Sequence, residues 1–368
     1  MPHAPPLGAL LRRYSAGTAL ACEPVDEGLL NRGYRLRTTR GRYFLKHHFD
    51  PDTADPASIA RQHRATERLA DLGVPVAPPL PGHDGRTVAV VGGHAYALHP
   101  WIDGRHRHGA QLTPGLCGRL GALLGVVHAS LEHVMRAPGE HPPPTRAKHS
   151  VPGREQPAPP AHEPERTTPS ERTAHVEHTA PSPDPADTFA LIDDLLARVR
   201  RHRPADSFDD LARHRLLERR TLLERHADRR PPHGGPVGWV HGDFHPFNLL
   251  YRGDAPAAIV DWDRLGVQPR AEEAVRAAAI FFVRPDGALD LPKARAYARA
   301  YRRAARATPS ELAAAVHRVW WERLNDFWML RWHYERGDTR ADSQFPAASA
   351  LAVWWTQEYD AVCGAFAD

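Results

Sequence analysis

The segment VHGDFHPFNLLYRGDAPAAIVDWD, residues 240–263, concentrates side chains that can do chemistry. Histidines, aspartates and an asparagine stand there between apolar runs that should be buried. These residue types can bind catalytic metal ions, can form a phosphoryl-transfer site, or can form a polar turn between two strands. Each interpretation makes a different demand on the spacing.

The spacing of the histidines allows a metal site. His241, Asp243 and His245 form the pattern H-x-D-x-H, and Asp261 and Asp263 could complete the two-metal centre of a hydrolase. Alternate residues face one side of a strand, but residues in a tight loop need not converge. The spacing alone thus leaves a metal-dependent hydrolase as one hypothesis for this segment, provided that these side chains converge.

The same segment also meets the needs of phosphoryl transfer, which requires a positioned hydroxyl and oxygen ligands for magnesium. Asp243 and Asn248, five residues apart, would place a base and a metal ligand on one short loop. Asp261 follows the apolar strand AAIV and would add a second metal contact from a rigid element. Two protein ligands suffice because Mg²⁺ keeps several waters and also binds phosphate oxygens.

Two motifs carry a family resemblance. HGDFHPFN resembles the catalytic loop H-x-D-x-x-x-x-N of the aminoglycoside phosphotransferase and choline or homoserine kinase-like family, and IVDWD resembles its metal-binding segment. The resemblance implies that Asp243 is the catalytic base or orients the hydroxyl, and that Asn248 and Asp261 bind magnesium. It also implies that His241 braces the loop and that Asp263 supports the metal ligands from behind.

The resemblance assigns nucleotide contacts to the first half of the chain. Lys46 in RYFLKHH matches the lysine that binds the α- and β-phosphates. Gly28 and Asn31 in DEGLLNRGYRL match the loop over the phosphates, and backbone groups at about His99 and Trp101 would hold the adenine edge. The implied cofactors are ATP and Mg²⁺.

One position departs from the family pattern. The family has a glutamate that pairs with the strand lysine, and alignment back from GVPVAPP places Gln62 there, beside His63. A glutamine can bind the ammonium group of Lys46 but does not neutralise it. Either Gln62 makes this weaker contact, or Glu67 makes it from another register.

Alternating residues predict the strands that position the lysine. GYRLRTT and RYFLKHH, around Arg40-Gly41, predict one hairpin, and TVAVV with HAYALHPW, around Gly92-Gly93, predicts another. Between them the sequence predicts a helix, with Asp55 as N-cap, Pro56 in its first turn and Gly73 as its end.

The rest of the chain reads as mainly helical, over 113–135, most of 188–226 and from 271 onward, with short strands GWV, NLLY and AAIV around the polar loop. Together with the resemblance, this predicts an α+β, two-lobed protein-kinase-like fold, with a small antiparallel-sheet lobe carrying one helix and a larger, mainly helical lobe. The expected divisions are a nucleotide-binding lobe at 1–98, a connector at 99–104, the start of the helical lobe at 105–136 and a catalytic and acceptor-binding lobe at 188–368.

Residues 137–187 are predicted to form a disordered insert. The span Ala137 to Ala186 holds 13 of the chain's 36 prolines and only two large aliphatic residues, Val151 and Val176, so it cannot bury enough apolar area to offset its ordering entropy. Its histidines could bind a metal only loosely.

Composition excludes several classes. Three scattered cysteines and the lack of C-x-x-C argue against disulfides and structural zinc, and no signal-peptide pattern or apolar run near the roughly 18 residues of a membrane span is visible. The net charge of +4 comes from dispersed basic residues. We expect a cytoplasmic protein that binds neither nucleic acid nor membrane, and we predict no oligomeric state.

The predicted partner is a small molecule with a hydroxyl acceptor, such as an aminoglycoside, an amino alcohol, a homoserine-like compound or a sugar. The aromatic segment 316–338 either walls its site or packs in the core. Two alternatives remain open: a nucleotide-binding pseudokinase or scaffold, suggested by Gln62, and the metal-dependent hydrolase.

Overall fold

The computed structural model describes residues 4–25, 31–49, 54–136, 181–232 and 234–368. The elements below belong to one compact unit, Met1–Met135 with Thr179–Asp368. The nucleotide contact expected at Gly28 and most of the predicted insert, residues 137–180, lie outside the described residues.

The small lobe is built on a five-stranded antiparallel sheet. The two predicted hairpins are confirmed, since Thr38 pairs with Gly41 and Val91 pairs with His94. The strands follow the spatial order β1-β2-β3-β5-β4. They are β1 (Ala19–Val25), β2 (Arg32–Thr38), β3 (Gly41–His48), β4 (Val88–Val91) and β5 (His94–Pro100).

Two helices accompany this sheet, one more than the sequence predicted. The predicted helix is α2 (Pro56–Asp71), whose N-cap Asp55 accepts hydrogen bonds from the amides of Ala57 and Ser58. The additional helix, α1 (Leu7–Arg13), lies before the first strand. It is held by Leu10 and Leu11, which are buried in one cluster with residues of β2, β3 and β5.

The larger lobe is mainly helical, and with it the predicted two-lobed, protein-kinase-like α+β fold is confirmed. A single large cluster of buried apolar residues runs through this lobe. Its helices are α3 (Pro114–Val134), α4 (Pro185–Arg201), α5 (Ser207–His226), α6 (Arg270–Phe282), α7 (Leu291–Ala305), α8 (Pro309–Asn325), α9 (Trp328–Arg331), α10 (Phe345–Gln357) and α11 (Tyr359–Ala367).

Helix α3 is long and apolar enough, by length and composition alone, to cross a membrane, and half of its most apolar 18-residue window is buried inside the protein. The expectation that no segment approaches this length was therefore wrong for α3. Its Leu120, Leu124 and Val127 are fully or almost fully buried in the large core cluster. A core helix of this kind meets the same criteria as a membrane span.

Two small antiparallel ribbons interrupt the helices and carry the polar loop. The predicted strands GWV, NLLY and AAIV correspond to β6 (Val237–Val240), β7 (Leu249–Arg252) and β8 (Ala255–Ile259). β7 pairs with β8, whereas β6 pairs with a strand that the sequence did not predict, β9 (Gly266–Pro269). The loop between β6 and β7 is thus anchored to a ribbon at each end.

Backbone contacts join the ribbons to the small lobe. The amide of Ile259 donates to the carbonyl of Pro75 at 2.8 Å, and Val76 forms an isolated parallel bridge with Ile259. Arg105, just after the connector, exchanges two hydrogen bonds of 2.9 Å with Tyr251. The end of β8 is therefore tied to the small lobe, and β7 is tied to the segment just after the connector.

The aromatic segment 316–338 is largely core. Trp320 and Trp321 are fully buried, and their indole N–H groups donate to Thr356 and to the carbonyl of Pro183. This satisfies the polar edge of each ring. For these two tryptophans the packing interpretation is the one that the structure supports.

Candidate active site

The turn at Gly242 shapes the loop between β6 and β7. Gly242 has a φ of +86°, and a Cβ there would lie 2.1 Å from the carbonyl oxygen of Arg264. Only glycine fits this conformation and this approach. The turn brings His241 and Asp243 together, so that the amide of Asp243 donates to Nδ1 of His241 at 3.2 Å.

His241 uses both ring nitrogens inside the protein. Its Nε2 lies 3.0 Å from the carbonyl oxygen of Val260, the residue before Asp261, while Nδ1 accepts from Asp243. Burial lowers the pKa of this histidine, which fits a neutral ring. With both nitrogens engaged, His241 braces the loop and is not placed to bind a metal, which counts against the H-x-D-x-H interpretation.

Asn248 lies beside Asp243, immediately before β7. Its Nδ2 donates to the carbonyl oxygen of Asp243 at 2.8 Å and lies 3.5 Å from Oδ2 of the same residue. The nitrogen and the oxygen of a side-chain amide point in different directions. Because Nδ2 of Asn248 faces Asp243, Oδ1 of Asn248 points away from Asp243. The backbone carbonyl of Asn248 accepts from Val260 at 3.0 Å, which places Asn248 next to the end of β8.

Asp243 is ionised in this setting. Burial alone would raise its pKa, but His245, whose Nε2 lies 3.5 Å from Oδ2, and Arg264 lower it below the ordinary value. A carboxylate with a lowered pKa is a weak base that accepts a hydrogen bond well. It is better suited to orient a hydroxyl than to remove its proton early.

Asp261 follows β8 by two residues in an unusual conformation. Its φ is +61°, a left-handed value that is uncommon for residues other than glycine. Such conformations concentrate at functional sites, where the surrounding structure maintains them. Its side chain remains 44% exposed, so the carboxylate faces accessible space.

Lys46 reaches this end of the ribbon from the small lobe. Its Nζ lies 2.6 Å from Oδ1 of Asp261 and 2.7 Å from Oδ2 of Asp263, and Lys46 itself is only 9% exposed. The three side chains predicted from the two halves of the sequence, Lys46, Asp261 and Asp263, therefore meet. The lysine has two carboxylate partners from the larger lobe.

The charges in this group are strongly coupled. Burial lowers the pKa of Lys46, but the two carboxylates outweigh it and the net pKa is raised. The same contact holds the pKa of Asp261 well below its usual range, although burial opposes this, whereas burial and the adjacent Asp261 raise the pKa of Asp263. Of the two carboxylates, Asp261 is thus the one that remains ionised to lower pH.

Gln62 does not bind Lys46. Its Nε2 donates to the backbone carbonyl of Asp263 at 2.9 Å, and Asn31 donates to Oδ2 of Asp263. The structure records no contact between Lys46 and Glu67 either. The expected pairing from α2 is thus replaced by Asp261 and Asp263, while Gln62 and Asn31 position Asp263.

The residues expected at the adenine edge lie at the end of β5 and just beyond it. His99 lies within β5, and its Nδ1 lies 2.9 Å from the carbonyl of Ala77. The amide of Trp101 donates to the carbonyl of Arg42 at 3.1 Å, because the β3–β5 ladder continues beyond the strand end. The Trp101 amide is thus engaged by the backbone, and the contact of backbone groups at about His99 and Trp101 with the adenine edge stays a prediction.

A buried carboxylate that the sequence did not reveal binds the backbone of the loop between β6 and β7. Glu273 on α6 accepts hydrogen bonds from the backbone amides of His241 and Gly242. It also lies 2.6 Å from Nε2 of His128 on α3, whose Nδ1 contacts Tyr301. Burial would raise the pKa of Glu273, but the contact with His128 lowers it below the ordinary value.

Glu273 was missed because no local pattern marks it. Its neighbours in sequence read as an ordinary charged turn at a helix N-terminus, RAEEAV. The only available signal was His128 on the apolar helix α3, a polar group that needs a buried partner.

A family of known proteins and several individual proteins are similar to this chain. A sequence model described as the phosphotransferase enzyme family matches residues 21–307. A homoserine kinase of Burkholderia ambifaria (strain MC40-6) is 32% identical over 124 residues, which are 33% of this chain and 35% of that protein. The chain thus covers about a third of the length of that relative.

Two solved structures share the fold at low sequence identity. A spectinomycin phosphotransferase in complex with ADP and spectinomycin has a TM-score of 0.58 at 13% identity, over 100% of this chain and 99% of that one. An amicoumacin kinase in complex with AMP-PNP and Ca²⁺ has a TM-score of 0.55 at 14% identity, over 95% and 93% of the two chains.

Proposed function

Because the chain belongs to the phosphotransferase enzyme family, we propose that it transfers the γ-phosphate of ATP to a hydroxyl group of a small molecule. The observation that carries this proposal is the convergence of Lys46 from the small lobe with Asp261, beside the loop that holds Asp243 and Asn248. These are the charges and oxygen ligands that phosphoryl transfer needs.

The donor set fits magnesium. Asp261 offers a partly exposed carboxylate, and Asn248 has its amide oriented by Asp243, so two hard oxygen donors lie at neighbouring positions. When bound, Mg²⁺ would neutralise charge on the phosphates. The complexes of the two similar structures, one with ADP and one with AMP-PNP and Ca²⁺, support a nucleotide and a divalent cation for this chain as well.

The chain's own residues would do the rest. Lys46 would bind the α- and β-phosphates when they take the place of its carboxylate partners, and Asn31 and Gln62 would hold Asp263 behind the metal ligands. Asp243 would accept a hydrogen bond from the acceptor hydroxyl and receive its proton as the new bond to phosphorus forms. His241 would maintain the position of Asp243.

We propose an acceptor among aminoglycosides, amino alcohols, homoserine-like compounds and sugars. A homoserine kinase and a spectinomycin phosphotransferase are among the proteins similar to this chain, and they support this range. We also propose the divisions expected from the sequence, with nucleotide binding in residues 1–98, a connector at 99–104 and catalysis in the larger lobe. We further propose a cytoplasmic location, in keeping with the free cysteines Cys22, Cys117 and Cys363.

The test is acceptor-dependent release of ADP. The purified chain is incubated with ATP, with and without Mg²⁺, and with a panel of the four acceptor types. Turnover by the wild type that is lost in Asp243→Asn and Asp261→Asn would support the proposal. Normal turnover in both variants would contradict it, and ATP binding without turnover of any acceptor would favour the pseudokinase or scaffold.

A further inference from the structure

A second group of chemically able side chains lies in the larger lobe and shares no residue with the proposed phosphoryl-transfer site. His202 caps the C-terminus of α4, Asp209 lies in the first turn of α5, and His333 lies in a π-helical turn, Trp332–Arg336, that follows α9. One ligating atom from each of the three residues lies within 4.8 Å of the others.

The surroundings hold two of these side chains in place. Nδ1 of His333 lies 2.8 Å from a carboxylate oxygen of Asp342, and Tyr334 donates to Oδ1 of Asp209 at 2.6 Å. The backbone amide of Asp206 donates to Oδ2 of Asp209 at 3.0 Å. A histidine oriented by a carboxylate, beside a carboxylate that is itself hydrogen-bonded, is the usual support of a metal ligand.

The π-helical turn matters to this arrangement. In a regular α-helix, consecutive side chains diverge, but here the neighbours His333 and Tyr334 both approach the group around Asp209. Single π-helical turns occur often at functional sites. The turn therefore serves the convergence of the three side chains.

Burial and charge also suit a cation. The side chains of Asp209 and His333 are 6% and 8% exposed, whereas His202 is 34% exposed and offers a path from solvent. Asp209 supplies the carboxylate, and its Oδ2 lies 3.0 Å from Nδ1 of His202. Two imidazoles and one carboxylate are ligands that zinc accepts.

We propose that His202, Asp209 and His333 bind one zinc ion, with water as the fourth ligand. Zinc–ligand distances of roughly 2.0–2.2 Å place tetrahedral ligand atoms about 3.3 Å apart. Ligand atoms that now lie up to 4.8 Å apart must therefore draw closer by at most about 1.5 Å. His202, the most exposed of them, can rotate to do so. The ion would tie the corner between α4 and α5 to the segment after α9.

The experiment measures zinc bound by the full, untagged chain in excess Mg²⁺, by equilibrium dialysis followed by elemental analysis. We expect one tightly bound zinc per chain in the wild type and its loss in His202→Ala and in His333→Ala. The matched control is His214→Ala, which removes a histidine from α5 whose side chain is 67% exposed; it should keep the zinc.

A separate control variant tests whether the histidines between residues 137 and 180 bind the zinc instead. A variant in which the five histidines between residues 137 and 180 are replaced by alanine should still bind one zinc. They are His141, His149, His162, His175 and His178. Loss of the zinc in this variant would overturn the proposal, as would equal zinc binding by wild type and by His202→Ala.

A spectroscopic readout separates ligation from an indirect effect on folding. Co²⁺ bound in place of zinc should give the intense visible absorption of a tetrahedral site in the wild type, and this band should be absent in His202→Ala. Zinc should also raise the melting temperature of the wild type and not of His202→Ala. Wild type without the cobalt band, or an equal zinc-dependent shift in both proteins, would contradict the assignment.

Discussion

The ammonium group of Lys46 lies 2.6 Å from the carboxylate of Asp261, so the residue proposed to bind phosphate is paired with the residue proposed to bind magnesium. A triphosphate must displace this contact to reach Lys46, and it then faces the negative charge of Asp261. A divalent cation between them would remove that repulsion.

Replacement of Asp261 by asparagine tests this relationship. The change removes the charge that faces the triphosphate, so we expect ATP affinity to become less dependent on Mg²⁺, while turnover falls by roughly 10²-fold or more. Titration calorimetry with and without Mg²⁺ measures the first effect and ADP release the second. An unchanged Mg²⁺ dependence would contradict the placement of the metal at Asp261.

Replacement of Asp243 by asparagine should separate chemistry from binding. The amide cannot receive the hydroxyl proton, so we expect kcat to fall by roughly 10²–10⁴-fold while the affinity for Mg²⁺ and ATP stays near that of the wild type. Asp254→Asn is the control, since Asp254 lies in the β7–β8 turn with its side chain 69% exposed. A loss of nucleotide binding in Asp243→Asn would assign the residue a different role.

Two glycines with left-handed backbone allow a matched comparison. A Cβ at Gly242 would overlap the carbonyl of Arg264, whereas a Cβ at Gly253, with a φ of +57°, has nothing within 4 Å. We expect Gly253→Ala to lower the free energy of unfolding by about 1 kcal/mol and to keep activity. Gly242→Ala should lower it by more than about 2 kcal/mol and abolish turnover. Urea unfolding and ADP release measure both, and similar results for the two variants would be inconsistent with the tight approach at Gly242.

Glu273 should matter to catalysis without touching substrate. Its replacement by alanine leaves two buried backbone amides and His128 without their acceptor, and we expect a loss of about 3 kcal/mol in the free energy of unfolding. In conditions where the variant remains folded, kcat should fall more than KM changes, because Asp243 is no longer held. Tyr301→Phe, which removes only the hydroxyl beside His128, is the mild control. Full activity in folded Glu273→Ala would show that the loop keeps its position unaided.

The buried histidines of the small lobe predict a pH dependence of stability. Burial, and then the neighbouring His99 and Lys46, lower the pKa of His63 to about 3. Below its ordinary value of about 6.5 the unfolded chain binds a proton that the folded chain does not, so the free energy of unfolding falls as the pH falls, down to the folded pKa.

The variant His63→Asn removes this one contribution. From about pH 6 to about pH 5, the wild type should lose about 1 kcal/mol more stability than the variant, as measured by urea unfolding at each pH. The comparison uses the difference between slopes, since other groups titrate in both proteins. Parallel curves would show that His63 takes up its proton in the folded state as well.

The sequence predicted what depends on local pattern. Alternation and glycine turns located both hairpins, and the cap at Asp55 located the start of α2. The two motifs identified Asp243, Asn248 and Asp261 as candidates. These residues lie close together because β7 starts directly after the first motif and pairs with β8, which leads into the second. The position of Lys46 late in β3 could be predicted because the turn at Arg40-Gly41 fixes the register of β3 against β2.

The sequence did not predict contacts that depend on tertiary packing. Asp263 and Asp261 replace a helix residue as partners of Lys46, and nothing in the order of residues around Gln62 reveals this. Glu273 and His128 are 145 positions apart, and only the packing of α3 against the rest of the lobe brings them together. Helix α1 is too short for a periodicity to show.

The bridge between Val76 and Ile259 links the small lobe to the strand that precedes Asp261. A hinge motion that separates the lobes pulls on the end of β8 through this bridge and through the amide of Ile259, and Asp261 lies two residues further along. Separation of the lobes would therefore strain the segment that leads to Asp261, the proposed magnesium ligand. We expect departure of the cation and escape of the spent nucleotide to be one concerted event, which would make lobe separation the step that limits the turnover cycle.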